Sequence, residues 1–543
     1  MSKTENSGPA AARRLLLWAL GDRPADRVVF AIVALGCALR VLNFLGGRSL
    51  WLDEAMVADS IAHRDWSGLL TPLTYNQVAP LGWLMLERLS FLLFGGADLS
   101  LRVPALLAGL ASLLLFADVA RKSYGTFGAA VAVAAFAFSN PLVYYSAEVK
   151  PYGFDVLAAV VALALAARWL QGEAWPTWRG YLAAAALGLA SLALSFPAAF
   201  VLAGLGAALC VRAAMKRRWG HAGAAAAVSA IWLIAFVALL QVTRHGAEAN
   251  LSHMTYSWRG AYAPLASGGL GGLKWYPKAL TQTLQYMFGA ESIAPWLLAT
   301  AVGAIILVRR RSWLAVAFLA PLATALAASG LRLYPFSERM LLFALPALMG
   351  LAALGVEAAT SRFKPPPGGA IVAAALLLFG SVELLWGNFT YYPAPYATEH
   401  ALPVMRAMAT ERNVDAVFVN FDGVPAFRYY RDRAGLRGVP LFAARRRATT
   451  MTCALDDAQE ISRNRRVWVF YSHAGRGANG TPSDVLLNRF LDVAGRQTRT
   501  MSLVSVSASL YEFGPDGAQR ISALRNLLSA RDECGDDAAV APE

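Results

Sequence analysis

Two adjacent carboxylates, Asp53 and Glu54, close the stretch Ser49-Leu50-Trp51-Leu52-Asp53-Glu54. A carboxylate beside a membrane can act as a general base, taking the proton of an acceptor hydroxyl as it attacks. Acids also simply end helices in water, so the pair alone decides nothing. Trp51 and Leu52 place it at an interface, where tryptophans gather. Three other polar groups accompany it. Asn76 and Gln77 precede Pro80, a residue suited to a helix start. Backbone N–H groups there favour anions, though an ordinary polar cap looks the same. Glu148 and Lys150, followed by Tyr152, interrupt a long apolar stretch. Lys150 can meet a phosphate as a point charge, or pair with Glu148. Arg332, Glu338 and Arg339 form the last group. Arginine is a natural phosphate ligand, and equally a contact for lipid headgroups.

The elements that must position these groups are mostly membrane helices. The chain has 543 residues, 57% hydrophobic and 15% charged. Soluble domains carry about 25% charged residues, and apolar runs of about 20 residues mark spans. The chain is therefore read as an α-helical polytopic membrane protein. The net charge of +14 raises nucleic acid as a partner, but the basic residues cluster in short loops rather than in a binding stripe. No nucleic-acid partner is expected; membrane lipids are.

Residues 1–28 form a polar, basic tail carrying Arg13, Arg14, Arg23 and Arg27, which points to a cytoplasmic N-terminus. No cleavable signal pattern is present. The first span covers 29–44, which puts Asp53 and Glu54 outside. Residues 55–70 read as an amphipathic interfacial helix, with Met56, Ile61, Leu69 and Leu70 toward lipid and Asp59, His63, Arg64 and Asp65 toward water. Residues 80–94 are short for a span and carry Glu87 and Arg88. If they do not cross, the basic loops Arg121-Lys122, 168–179, 212–218, 309–311 and 362–364 all fall inside; a juxtamembrane or re-entrant helix follows. Further spans are placed at 103–120, 126–143, 153–170, 180–195, 197–213, 222–242, 293–308, 313–329, 339–357 and 370–387, about eleven in all. The outer loops then include 45–100 and 244–292. The second of these carries His245, His253, Arg259, Lys274 and Lys278 among Tyr256, Trp258, Trp275 and Tyr276. Aromatics with bases suit sugar stacking or the interface belt.

Beyond a membrane domain at 29–389, residues 390–543 read as a soluble α/β domain facing outward. Strands are expected at 416–421, 467–471 and 505–513, and helices at 403–412 and 483–493. Its two cysteines, Cys453 and Cys534, would meet an oxidising compartment, so a disulfide between them is expected. The histidines show no ligand spacing; no cofactor is called for, and a divalent metal stays open without a protein-defined site.

Leu50-Trp51-Leu52-Asp53-Glu54-Ala55, Gln77-Val78-Ala79-Pro80-Leu81, Leu101-Arg102-Val103-Pro104 and Tyr144-Tyr145-Ser146-Ala147-Glu148-Val149-Lys150-Pro151-Tyr152 follow one another as in GT-C glycosyltransferases. The chain most resembles their family 39-like branch, with protein O-mannosyltransferases and lipid A aminoarabinose transferases. The resemblance covers about 29–360. It implies an inverting transferase of the bacterial inner membrane that moves a sugar from a polyprenyl-phosphate donor to a hydroxyl on a lipid, glycan or protein. Asp53 maps onto the family's base, with Glu54 as helper. Relatives often carry a histidine or acid near Gln77 and an arginine at Lys150, so this chain departs there. A transporter or flippase of a lipid-linked saccharide would need charges near the midplane and broken repeats. A non-catalytic glycan-binding assembly protein would have no use for the Asp-Glu pair.

Overall fold

The computed structural model describes residues 24–172, 174–264, 272–288, 293–360, 399–446, 450–473 and 483–528. The chain divides into two compact units, one of residues 1–46, 79–90 and 102–395, the other of 47–78, 91–101 and 396–543.

The first unit is a helical bundle. Six helices among the described residues are long and apolar enough to cross a membrane: Arg27–Leu45, Asp98–Ser123, Tyr152–Leu170, Ala198–Met215, Trp219–Thr243 and Glu338–Thr360. A seventh candidate is the pair Thr126–Phe138 and Asn140–Ala147, bent by 54°. Shorter apolar helices follow at Trp178–Leu194, Ala294–Arg309 and Leu314–Gly330. Each coincides with an expected span; the expected 370–387 span and the linker before it lie outside the described residues. The protein is a multi-pass membrane protein. Residues 80–94 form a helix of 13 residues, Leu81–Leu93, with Glu87 fully buried. The loop expected from 244 begins later, because the helix started at Trp219 continues to Ser257.

Small residues let the helices approach closely. A Cβ on Gly303 would strike the backbone carbonyl of Leu351, and one on Gly355 that of Ala299. The helices Ala294–Arg309 and Leu345–Thr360 therefore cross backbone to backbone.

The second unit is built on a five-stranded sheet. Its strands are β1 (Ala416–Val419), β2 (Leu441–Ala443), β3 (Arg466–Ser472), β4 (Gly495–Leu503) and β5 (Val506–Phe513), in the order β2-β1-β3-β5-β4. β1 runs parallel to β2 and β3; β5 runs antiparallel to β3 and β4. Helices Met451–Ile461, Ser483–Ala494 and Gly517–Leu528 pack together on the sheet around Leu455, Ile461, Leu491 and Ile521. Cys453 is buried there; its expected partner Cys534 lies outside the described residues.

Residues 47–78 and 91–101 pack with this C-terminal chain. The Leu52–His63 helix lies against Val424–Tyr430. This corrects the expected interfacial helix over 55–70. Ile61, expected toward lipid, is fully buried and Asp59, expected toward water, is buried as well, because the Val424–Tyr430 helix packs against this one; His63 and Asp65 stay exposed.

Candidate active site

In the second unit, Asp53 and Glu54 occupy the first turn of the Leu52–His63 helix, where carboxylates are favoured by the helix dipole. Their surroundings differ. Glu54 is fully buried; its Oε2 accepts from the Trp51 N–H at 3.3 Å and its Oε1 lies 4.0 Å from the Arg48 guanidinium. Asp53 is half-buried. The second acid caps the helix and lies beside an arginine; the first is the more exposed of the two.

The C-terminal domain fixes the approach to this turn. The Leu50 N–H donates to the Tyr430 hydroxyl at 2.6 Å, and that hydroxyl donates to Asp98 Oδ2 at 2.8 Å. Arg433 reaches the other oxygen, Asp98 Oδ1, at 2.7 Å. Near Asp53 stands a second carboxylate device. Buried Glu399 accepts from the Ser472 hydroxyl at 3.0 Å and holds His473 Nδ1 at 2.8 Å. Its hydrogen bond raises the His473 imidazole above its usual value, against desolvation, and the charges of Asp422 and Asp53 add to the effect. Neither Tyr430 nor the Glu399–His473 pair announces itself in sequence, since both partners are distant in the chain.

Asn76 and Gln77 follow from a 3-10 turn, Thr74–Asn76, whose Tyr75 and Asn76 take positive φ of 58° and 52°. Gln77 Nε2 lies 3.3 Å from Met56 Sδ and 3.4 Å from the Tyr75 carbonyl. The side chain thus braces the turn against the Leu52–His63 helix. The next helix begins only at Leu81, so the pair is not part of its first turn.

In the first unit the structure gathers Glu148, Tyr152, Glu338 and Arg339. The break after Phe138 makes this possible. Arg40, fully buried, donates to the carbonyls of Phe136 at 3.1 Å and Ala137 at 2.9 Å, satisfying oxygens that a helix end leaves open. Asn43 donates to the Val143 carbonyl at 2.8 Å. The first membrane helix thereby pins the bent segment that presents Tyr145 to Lys150. Glu148 is buried, its carbonyl accepting from the Lys150 N–H at 2.8 Å, and Lys150 is half-buried.

The Tyr145 hydroxyl shares a hydrogen bond with that of Tyr286, on the Trp275–Phe288 helix. Burial pushes the Tyr286 phenol up to about 12; the bond to Tyr145 and the Arg339 charge oppose this, while Glu148 and Glu338 add to it. Arg339 lies over the rings of Tyr152 at 5.9 Å and Trp258 at 5.7 Å. Glu338 is exposed with φ of 39°, opening the 3-10 segment Glu338–Ala344. Arg332 is exposed too, in a left-handed turn, and its guanidinium makes no ion pair among the described residues. It is not brought to the cluster by any contact seen. Tyr286, Arg40 and Asn43 are the members that sequence reasoning missed; Arg40, a charge inside an apolar run, was the signal available.

Among the described residues no three His, Cys, Asp or Glu side chains converge to hold a metal.

The family model for dolichyl-phosphate-mannose-protein mannosyltransferase matches residues 78–240, under a third of the chain. A crystal structure of ArnT from Cupriavidus metallidurans in the apo state superposes with a TM-score of 0.51, at 14% identity, covering 92% of this chain and 98% of ArnT. The likeness to ArnT shows a GT-C-type membrane fold. A second ArnT structure from Cupriavidus metallidurans, bound to undecaprenyl phosphate, matches with a TM-score of 0.50 at 15% identity, covering 88% and 97%. A comparison with curated proteins finds no match. At such identity the GT-C likeness establishes the fold alone.

A pH dependence of stability follows from the second unit. The imidazoles of His473 and His63 are both raised, the first by its hydrogen bond to Glu399 and the second by that to Asp59. Burial raises the Asp457 carboxyl to about 7, with Glu460 and Asp456 adding to it. All three groups bind protons more tightly folded than unfolded, so each makes stability fall as pH rises. The histidine share is complete below about 6.5 and is lost as pH climbs through the raised value. The thermal midpoint of the full chain is expected to be higher at pH 5.5 than at pH 8.5, and Glu399→Gln to shrink that difference. An equal difference in Glu399→Gln would remove the His473 pair as its source.

Proposed function

We propose that the protein moves a sugar from a polyprenyl-phosphate donor to a hydroxyl acceptor on the periplasmic face of a bacterial inner membrane, with inversion. The reading is supported by the GT-C fold and by the undecaprenyl phosphate that its structural neighbour ArnT holds. The observation that carries it is the first turn of the Leu52–His63 helix, which sets half-buried Asp53 beside the fully buried Glu54 that caps the helix.

The chemistry is one displacement at the anomeric carbon. The acceptor oxygen bonds to that carbon as the bond to the phosphate oxygen breaks. Asp53 takes the acceptor's proton, and the polyprenyl phosphate departs as an anion that needs no strong general acid. Lys150 and Arg339 stabilise the charge that grows on the phosphate. Glu148 and Glu338 orient them, and Tyr152 supports Arg339 from below. Asn76 and Gln77 shape the turn beside the base, and Arg332 meets lipid headgroups or donor phosphate from the surface. Cys453 and Cys534 close a disulfide in the exported domain.

Reconstitution in proteoliposomes with labelled polyprenyl-phosphate sugars tests this. Donor consumption is expected, with label recovered in a lipid, glycan or protein fraction and the anomeric configuration inverted. Movement of intact donor across the bilayer without consumption would instead make the protein a transporter.

A further inference from the structure

The second unit holds a cleft of about 300 Å³ that the mechanism does not use. Its floor is the far end of the helix that begins with Asp53 and Glu54. Asp59, Ser60, His63 and Arg64 line it from that helix end, Thr74 from the turn, and Arg428, Arg431 and Asp432 from the C-terminal domain. The volume falls at the small end of ligand pockets, suited to about one sugar residue.

The charges do not balance. Arg64 is held by neutral oxygens, donating to the Gly68 carbonyl at 3.2 Å, Thr71 Oγ1 at 3.1 Å and the Pro72 carbonyl at 2.8 Å. Arg431 is likewise fixed by the carbonyls of Leu436 at 3.3 Å and Val439 at 2.6 Å. Arg428 stands beside Tyr75, where its charge favours the ionised phenol against burial and the Asp59 charge. Among the described residues none of these three guanidiniums is paired with a carboxylate. Of the two acids, Asp59 is engaged by His63 Nδ1 at 3.0 Å and by the Tyr75 hydroxyl at 3.3 Å. Asp432 lies 3.9 Å from exposed Arg437. The cleft is thus a cationic pocket, with Arg64 and Arg431 held in place by backbone and side-chain oxygens rather than neutralised. Ser60 and Thr74, joined at 2.6 Å, add hydroxyls at the wall.

We propose that this cleft is an acceptor subsite for a saccharide residue bearing a carboxylate or a phosphate. The anion sits against the arginines, and Thr74, Ser60 and His63 meet the sugar hydroxyls. The inference rests on the transferase reading, since it assigns the bound residue to the acceptor. The cleft and Asp53 share one helix, six residues apart and so about 9 Å along its axis, which places an acceptor held here within a residue or two of the base.

The test is binding of soluble probes to the full chain in nanodiscs: glucose 6-phosphate, glucuronate, glucose and inorganic phosphate. At least one acidic sugar is expected to bind about tenfold or more tightly than glucose, and more tightly than inorganic phosphate. Arg428→Gln should weaken it about tenfold or more. Asp432→Asn, at an exposed position that folding tolerates, should tighten it about two- to threefold by removing a like charge. Asp53→Asn should leave probe binding unchanged, which separates this site from the catalytic one. Equal affinity for glucose, equal affinity for inorganic phosphate, or no response to Asp432→Asn overturns the proposal. A transfer reaction that still depends on Asp53 would then stand without it.

Discussion

Asp53→Asn is expected to lower sugar transfer about 10²- to 10⁴-fold while the protein still folds and binds donor. The substitution keeps the size of the side chain and removes its ability to take a proton. The half-buried position and the first-turn placement both survive the change, because the helix cap is supplied by Glu54. The loss should therefore fall on kcat, with little change in KM for donor. Glu54→Gln should behave differently. It weakens the contact with Arg48 and the bond from the Trp51 N–H, so folded yield and thermal midpoint drop along with activity. Single-turnover transfer in proteoliposomes, read beside a thermal melt, distinguishes the two. Full turnover by Asp53→Asn would remove this residue from the chemistry and leave the acid pair a helix cap.

The membrane helices were legible because a run of apolar residues has one use at that length. Ten observed apolar segments lie where such runs predict them. The fate of the polar stretch after the first helix was not legible. Asp59 and Ile61 alternate as an interfacial helix would, yet both are buried, since the covering helix Val424–Tyr430 comes from more than 360 residues later. Local periodicity cannot report a partner that far away. The same distance hid Tyr430, which accepts from Leu50, and the Glu399–His473 pair. In the sheet, β1, β3 and β5 carry buried apolar residues and were expected. β4 was missed because almost all of its residues are exposed, so no hydrophobic pattern marks it. β2 is three residues long. At the candidate site the residue types were visible, but their division of labour was not: Asp53 and Glu54 look alike in sequence and differ only in what surrounds them.

Arg339→Gln is expected to lower kcat for transfer about 10²-fold, with a smaller effect on donor KM. The reason lies in timing. Charge on the leaving phosphate grows as the bond to the anomeric carbon breaks, so a fixed cation helps the transition state more than the bound donor. Arg339 lies over the faces of Tyr152 and Trp258, which restrict its plane. Arg339→Lys should recover only part of the loss, because the ammonium keeps the charge but neither stacks nor binds two oxygens at once. Tyr152→Leu should then resemble the lysine variant, since it removes one face of the support and leaves the charge. If Arg339→Lys instead restores full activity, charge alone matters here, and the aromatic faces serve only to pack the helices that carry them.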